Sequence, residues 1–365
     1  MEKETASDIF QMHEQMTRCF FIIQGEGRGH LSQAMALREY LEEAGSVIVE
    51  TWVGTFRPDS LPGYFRNHFQ QVHSYRSPGF LRTPNRKGIY IGRTLLHNFL
   101  RIPLYIRELR RIRKAIHLAE PDLIINFYEL LGALAVRGME QGPARLALGH
   151  HFTIHLEDYN CKRGCRFHRM LLRWHTLLIM KSSDKVLALS YRELEDKGKI
   201  RVVPPLIRKD FRSMNYQPGE RYLAYFLCEG FVYDLLIYAR QRRDFQVDVF
   251  SNLKPEIPLP PGFRIHAPDA NKFLTFMSRC RGVISTAGFD TAAETAFHGI
   301  PLAVIPAQNH YEQGCNGADI ERSGIGVLLE HIRDDLGAQL SKKAYTDYQV
   351  WAKKADVLIL KQIKE

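Results

Sequence analysis

The stretch that decides the fold is Gln24-Gly25-Glu26-Gly27-Arg28-Gly29-His30. It follows the apolar run Phe20–Ile23 and precedes the helical pattern Leu31–Leu41. A strand, a glycine-rich turn and a helix in this order make a loop whose backbone can approach a substrate closely. A dinucleotide-binding loop, Gly-x-Gly-x-x-Gly, would have its third glycine where His30 stands, and an imidazole can transfer protons. The loop therefore predicts chemistry rather than cofactor binding.

Short apolar strands alternate with helical patterns along the chain. The predicted strands are Phe20–Gln24, Val47–Val53, Leu123–Phe127, Ala144–Leu148, Lys185–Leu189, Tyr222–Phe226, Gln246–Phe250, Phe263–His266, Gly282–Ser285, Leu302–Ile305 and Gly326–Leu328. The predicted helices are Ser32–Ala44, Leu95–Leu118, Arg166–Lys181, Asp290–His298 and Gln313–Ser323. Because strands that alternate with helices form parallel sheets, the sequence predicts an α/β protein with two Rossmann-like, doubly wound domains.

The order of these elements also predicts the domain boundaries. Residues 1–203 are expected to form an N-terminal domain and residues 220–340 a C-terminal domain. Pro204 and Pro205 with a polar stretch interrupt the pattern, so residues 204–219 are predicted to be the linker. Residues 341–365 are expected to form a helix that packs back on the N-terminal domain.

Composition limits the function. The chain has 365 residues, and 45% hydrophobic with 25% charged residues is typical of a globular protein. The formal net charge is +10, and most of it lies in residues 1–200, which predicts an anionic partner such as a membrane surface, a phosphorylated lipid or a nucleic acid. The leader Met1–Glu4 is charged and the sequence has no apolar run of about 20 residues, which favours a cytoplasmic protein. Its six cysteines are scattered, so disulfides are not expected.

A second motif, Ile284–Glu294, combines a buried strand, a tight turn and a helix with Asp290 as a possible N-cap. Phosphates bind at helix N-termini that follow parallel strands, because free backbone N–H groups and the helix dipole face them. Glu294 lies one turn into the helix, where a carboxylate could accept hydrogen bonds from ribose hydroxyls. The alternative is a capped core helix with an exposed glutamate.

A third motif, Pro306–Gly317, follows the next strand and contains Glu312, Gln313 and Asn316. Carboxylate and amide groups are suitable partners for sugar hydroxyls. The alternative is a loop followed by an N-capped helix.

Together, the three motifs resemble the inverting GT-B glycosyltransferases. The likeness is clearest over residues 18–45 and 260–330. It points to the lipid-linked peptidoglycan N-acetylglucosaminyltransferases, the UDP-glucosyl- and glucuronosyltransferases, and largely uncharacterised bacterial and archaeal members. That group has a Gly-Gly-His loop, a ribose-binding glutamate and an Asp-Gln-x-x-Asn-Ala motif, which fall on Gly25–His30, Glu294 and Glu312–Gly317. This chain has Glu312 where the last motif has Asp, and Gly317 where it has Ala. These differences leave the identity of the donor sugar open.

The resemblance implies two domains facing across a cleft and a nucleotide-diphosphate-sugar donor, with a UDP-sugar expected. The retaining signature Glu-x7-Glu is missing, because Thr286 stands eight residues before Glu294, so inversion is expected. An inverting enzyme needs a base for the acceptor hydroxyl and positive or N–H groups for the leaving diphosphate. We therefore expect no metal and no other cofactor.

The residues receive the following expected roles. The base is His30; the acceptor side comprises Gly27, Arg28, Gly29, Asn126, Glu129 and His151; the diphosphate is bound by Thr286, Ala287 and Gly288, the ribose by Glu294, and the sugar by Glu312, Gln313 and Asn316. The alternative for His30 is a helix-capping role.

Two tracts, residues 82–114 and 161–181, mix basic and apolar side chains. Basic amphipathic helices with an aromatic residue suit an anionic membrane surface, so the tracts predict peripheral contact with the inner face of a membrane and a lipid or lipid-linked acceptor. The alternative is that they are solvated faces of packed helices. Neither tract is typical of a nucleic-acid-reading module.

Other function classes stay open. A nucleotide-sugar hydrolase or epimerase could use the same fold, and so could a non-catalytic nucleotide-sugar-binding protein. The spacing Cys161-x3-Cys165-x2-His168 is not that of a standard zinc site, so a metal site is not expected there.

Overall fold

The structure is a computed structural model. It describes residues 16–26, 28–58, 61–81, 83, 90–139, 142–156, 166–226, 228–254, 257–332, 336, 340 and 347–364. Within these ranges the chain forms two parallel β-sheets with helices packed against them. The prediction of two α/β domains is confirmed.

The first sheet has seven strands in the order β3-β2-β1-β4-β5-β6-β7. They are β1 (Arg18–Gln24), β2 (Val47–Thr55), β3 (Val72–Arg76), β4 (Leu123–Phe127), β5 (Ala144–Gly149), β6 (Lys185–Leu189) and β7 (Ile200–Val203). The helices of this half are α1 (Gly29–Glu43), α2 (Gly63–Arg66), α3 (Ile91–Phe99), α4 (Ile102–Ala119), α5 (Leu130–Val136) and α6 (Arg166–Lys181), with a 3-10 helix at His150–His155.

The second sheet has six strands in the order β10-β9-β8-β11-β12-β13. They are β8 (Tyr222–Tyr225), β9 (Val247–Phe250), β10 (Phe263–His266), β11 (Gly282–Thr286), β12 (Leu302–Ile305) and β13 (Val327–Leu328). The remaining helices are α7 (Lys209–Arg212), α8 (Gly230–Gln241), α9 (Ala270–Met277), α10 (Phe289–Phe297), α11 (Tyr311–Arg322), α12 (Tyr348–Ala352) and α13 (Ala355–Lys364).

The strand order places a crevice in each sheet. Both β2 and β4 pair with β1, and both β9 and β11 pair with β8, all in parallel. The chain connections run in opposite directions from these central pairs, so the loops at their carboxyl ends separate and leave an opening. The loops after β1 and β11 carry the first two sequence motifs.

The structure corrects some of the predicted elements. The single helix expected over Leu95–Leu118 is two helices, α3 and α4, separated at Leu100 and Arg101. Pro103 lies in the first turn of α4, where its missing N–H costs no hydrogen bond, whereas in a continuous helix it would remove one. The short elements β3, β7, α2, α5, α7, α8 and α9 were not predicted.

The C-terminal helices contact both halves. The indole Nε1 of Trp351 donates to the Ser190 carbonyl at 2.9 Å, and Lys185 Nζ donates to the Gln362 carbonyl at 2.6 Å. On the other side, the Tyr348 hydroxyl donates to the Ala293 carbonyl at 2.9 Å. These bonds connect the end of the first sheet with α10.

Candidate active site

A cavity of about 450 Å³ lies between the two halves of the molecule. Side chains from both halves line it, including Gln24, Arg28, His30, Tyr128, His151, Thr286, Asp290, Glu294, Glu312 and Gln313. They come from the carboxyl ends of strands, from the 3-10 helix and from the first two turns of α1, α10 and α11. This is where a doubly wound sheet binds its ligands.

His30 lies in the first turn of α1. Its Nδ1 is 3.1 Å from Oε1 of Gln33, and Nε2 of Gln33 donates to Oδ1 of Asp290 at 3.0 Å. Burial, with a smaller contribution from neighbouring His151, lowers the pKa of His30 to about 4. The imidazole is therefore neutral at physiological pH and can accept a proton. Its ring bonds a side chain, so the helix-capping alternative has no support here.

Gly29 is needed because the two halves approach each other closely beside it. A Cβ at this position would lie 2.4 Å from Oδ2 of Asp290. Asp290 was expected to be the N-cap of α10, but the cap is Gly288 and the Asp290 carboxylate reaches across the cleft instead. Burial raises the pKa of Asp290 to about 6.

His151 makes a second contact across the cleft. Its Nε2 lies 3.0 Å from Oε1 of Glu312, and its ring stacks on Tyr128 with centroids 3.8 Å apart. Burial opposes ionisation of Glu312, but the contact with His151 outweighs it and lowers the pKa of Glu312. Glu312 is thus an anion within the cavity.

Tyr128 is held in place by its backbone and by His175. It adopts φ 59°, a left-handed conformation rare for a bulky residue, and its hydroxyl lies 3.0 Å from Nδ1 of His175. Such strain is maintained only where the surroundings impose it, and here it directs the ring onto His151.

The second motif forms the opposite wall. Thr286 and Gly288 line the cavity, while Ala287 is buried behind them. Glu294 is also buried, and Nε of Arg208 lies 3.7 Å from its Oε1. Burial raises the pKa of Glu294 to about 8, although Arg208 acts in the opposite direction. The alternative of a simple capped helix required an exposed glutamate, and Glu294 is buried.

A smaller cavity of about 90 Å³ opens beside Glu294. Its walls include the rings of Tyr225, Phe250 and Phe273, and Arg28 and Arg208 also line it. The Arg28 guanidinium lies 5.9 Å from the centroid of the Tyr225 ring. Since Arg28 lines the larger cavity as well, it stands where the two cavities meet.

Comparison with known proteins identifies the family. The sequence profile described as glycosyl transferase family 1 matches residues 17–342. The chain belongs to this family. A protein of Methanosarcina acetivorans described as an uncharacterised glycosyltransferase is 23% identical over 345 residues, which cover 86% of each chain.

Solved structures agree with this assignment. The glycotransferase of kitacinnamycin superposes with a TM-score of 0.62 at 14% identity, covering 95% of this chain and 99% of the other. LpCGTa in complex with UDP superposes with a TM-score of 0.60 at 13% identity, covering 94% of each chain. The fold is that of the GT-B glycosyltransferases, and the predicted resemblance is confirmed.

Four of the residues predicted for the site, Asn126, Glu129, Ala287 and Asn316, do not line the cavity of this glycosyltransferase. Asn126 Nδ2 donates to the Glu129 carbonyl at 2.9 Å, and the Glu129 carboxylate is fully buried, accepting from the Ser77 hydroxyl at 2.5 Å. Both residues shape the turn that carries Tyr128. Asn316 Nδ2 donates to the Ala287 carbonyl at 3.1 Å and so braces the turn after β11. Gly27 lies outside the described residues.

The sequence interpretation missed Gln33, His175 and Arg208. Gln33 could have been found, because residues three apart on a helix share a face and Gln33 follows His30 by three. The other residues reach the site through tertiary packing, and no local pattern marks them.

Exposed apolar side chains surround one end of the cavity of this glycosyltransferase. We call this surface the apolar rim; it comprises Leu95, Leu96, Phe99 and Leu100 at α3 and Phe167, Met170 and Trp174 on α6. Leu95 and Trp174 also line the cavity, so the rim is continuous with it. Exposed arginines, among them Arg93 and Arg173, lie on the same two helices.

Two absences concern only the described part of the chain. No helix in it is long and apolar enough to cross a membrane. It also contains no group of three or more His, Cys, Asp or Glu side chains arranged to hold a metal ion. Cys161 and Cys165 lie outside the described residues.

Proposed function

We propose that this glycosyltransferase moves a sugar from a nucleotide-diphosphate donor, a UDP-sugar, to an acceptor hydroxyl with inversion, and that His30 is the general base. The observation that carries the proposal is the state of His30. It is neutral, it lines the cavity, and its Nδ1 is engaged by Gln33. Nε2 makes no hydrogen bond to any described residue and is the nitrogen open to a substrate hydroxyl.

The donor belongs to the half formed by residues 220–340. We place its diphosphate at Thr286, Ala287 and Gly288, where the N-terminus of α10 offers backbone N–H groups and the positive end of a helix dipole. Arg28 faces the same place from the opposite half and would add a full positive charge. These groups can take up the charge of the leaving diphosphate without a metal ion.

Glu294 would bind the ribose, since it lies where the two cavities meet. The nucleobase would enter the smaller cavity, whose aromatic walls can stack on a planar ring. The complex of LpCGTa with UDP supports uridine as the nucleoside, because that protein shares the fold.

The sugar would lie beside Glu312 and Gln313, which line the cavity, with Asn316 supporting the wall behind them. As the acceptor oxygen attacks the anomeric carbon, its proton passes to Nε2 of His30, and the bond from that carbon to the diphosphate oxygen breaks. His30 lines the cavity from one half of the molecule, and Thr286 and Gly288 line it from the other, so the reacting carbon would lie between them. A base and a leaving-group site on opposite sides of the reacting carbon favour one displacement with inversion.

The acceptor would bind against residues 1–203, and the apolar rim indicates its chemistry. Phe99 and Met170 are 68% and 60% exposed. Apolar side chains flanked by arginines suit an anionic lipid surface, which attracts the arginines and receives the apolar groups. We therefore propose a lipid or lipid-linked acceptor, presented by peripheral contact with the inner face of a membrane.

A transfer assay tests the reaction itself. Thermal-shift screening of nucleotide sugars should identify a donor by selective stabilisation, and transfer from it to hydroxyl-bearing lipids should give a product with inverted anomeric configuration. Turnover of the donor without any acceptor would instead indicate a hydrolase or epimerase. Stabilisation without turnover under any condition would indicate a binding protein.

Vesicle flotation tests the membrane contact. The protein should float with anionic vesicles and less with zwitterionic ones, and Phe99→Glu with Met170→Glu should reduce flotation about tenfold. Val357→Glu is the matched control, because Val357 is also 68% exposed but lies on α13, away from the rim. Equal binding to both vesicle types would overturn the membrane proposal and leave the transfer reaction unaffected.

A further inference from the structure

Gln33 connects the two halves of the cleft. It is 1% exposed, it contacts His30 on its own helix, and it donates to Asp290 in the first turn of α10. We infer that Gln33 and Asp290 are positioning residues that set the tautomer of His30, and that they make the base competent only while the donor-binding half lies against it. This inference rests on the proposed role of His30.

The hydrogen-bonding capacity of each group determines how the Gln33 amide is oriented. An ionised carboxylate only accepts hydrogen bonds, so Gln33 must turn its NH₂ group towards Asp290. Its amide oxygen then faces Nδ1 of His30, and an oxygen of this kind also only accepts. Nδ1 must therefore carry the proton of the neutral ring. Nε2 is left with a free electron pair, which is the form that a general base requires.

The connection depends on how closely the halves approach. The Asp290 carboxylate lies against Gly29 at the N-terminus of α1, and this position is favourable for an anion because of the helix dipole. If the halves separate, Asp290 leaves Gln33 and the amide can rotate. An NH₂ group facing Nδ1 would stabilise the opposite tautomer, in which Nε2 carries the proton and cannot accept another. Closure of the cleft thereby activates the base.

A double-mutant cycle tests this coupling. Gln33→Leu should lower kcat by about 10- to 100-fold, by analogy with the loss found when the hydrogen-bond partner that orients a metal-bound histidine is removed. Asp290→Asn should lower kcat about tenfold, because an amide at 290 no longer dictates the orientation of Gln33. The double variant Gln33→Leu with Asp290→Asn should be no slower than Gln33→Leu alone, since both act through one path. The KM of the donor should change less than about twofold.

An exchange variant distinguishes positioning from packing. Gln33→Glu combined with Asp290→Asn keeps an acceptor beside Nδ1 and a donor beside position 33. It should restore most of kcat, and its acid limb in the profile of kcat/KM against pH should move upward because a carboxylate beside His30 raises its pKa. Additive losses in the cycle, or no recovery in the exchange variant, would overturn the inference.

A measurement without turnover separates this inference from the proposed function. In ¹⁵N-histidine-labelled protein, with the signal assigned by His30→Ala, His30 should show the Nδ1–H tautomer, and Gln33→Leu should give a mixture. Gln71→Leu, an exposed position, is the matched control. An unchanged tautomer in Gln33→Leu contradicts the inference alone. Full activity of His30→Ala contradicts the base assignment, whatever the tautomer.

Discussion

Burial lowers the pKa of histidines on one side of the cleft and raises the pKa of carboxyl groups on the other. On the acceptor side it lowers the pKa of His30 and His175 to about 4, and on the donor side it raises the pKa of Asp290 to about 6 and of Glu294 to about 8. One cause acts on both, because removal from water disfavours the charged form of any group. The acceptor side is left with neutral imidazoles, and on the donor side Asp290 and Glu294 hold their protons to a higher pH than carboxyl groups in water.

The contrast indicates a division of labour. In the proposed mechanism, proton removal belongs to the side with the neutral imidazoles, and recognition of the nucleotide to the side with helix N-termini and buried acids. The sides meet at two contacts, Gln33 with Asp290 and His151 with Glu312. Variants on either side should therefore affect different kinetic constants, and a variant that forces the two sides apart should affect both.

The largest effect is expected on the acceptor side. His30→Ala should lower kcat by about 10²- to 10⁴-fold, the usual contribution of a general base, while donor binding changes little. The loss would be measured by initial rates, and donor binding by thermal shift. His117→Ala, at an exposed position of α4, should leave both unchanged. Full transfer activity in His30→Ala would show that His30 is not the general base.

The second-largest effect is expected where the two sides of the cleft touch, beside Gly29. Gly29→Ala places a methyl group against the Asp290 carboxylate, and overpacking of this kind costs about 1–3 kcal/mol. Activity should fall by about 10- to 100-fold, with changes in both kcat and the donor KM. Gly63→Ala is the control, because a Cβ there meets nothing within 4 Å. Equal activities of the two variants would show that the halves need not approach so closely.

A smaller effect is expected on the donor side. Glu294→Ala should raise the dissociation constant of the donor about tenfold, since removing one hydrogen-bond partner of a buried polar group costs about 1–3 kcal/mol and Arg208 stays nearby. Calorimetric titration measures it. Glu321→Ala, exposed on α11, serves as the comparison. An unchanged dissociation constant would contradict the ribose assignment.

The smallest effect concerns stability and pH. Because the folded pKa of Glu294 is raised to about 8 from 4.5, the folded state holds this proton more tightly, and its stabilising contribution is lost as pH rises from 4.5 to 8. Glu294→Gln removes this dependence, so its Tm relative to that of the unaltered protein should increase by a few degrees between pH 5 and pH 8. A constant difference in Tm would show that Glu294 is ionised when unliganded.

The sequence by itself determined the two α/β domains and the parts of the cavity wall at Arg28–His30, Thr286 and Glu312. Alternation of apolar strands with helices is a local pattern, and it correctly predicted the loop before His30 and the turn at Thr286. Parallel sheets bind their ligands at the carboxyl ends of the strands. Residues at those ends can therefore be predicted to lie near each other before any side-chain contact is known.

Only the tertiary structure decided which polar side chains turn into the cavity. Asn126 and Glu129 stand at a strand end, as His151 does. Their hydrogen bonds within the turn direct their side chains away from the cavity. Gln33 and Asp290 are 257 positions apart, and their contact exists because two separately folded sheets meet there. A local pattern can place a residue at the edge of a sheet, whereas its partner across a cleft depends on the packing of distant segments.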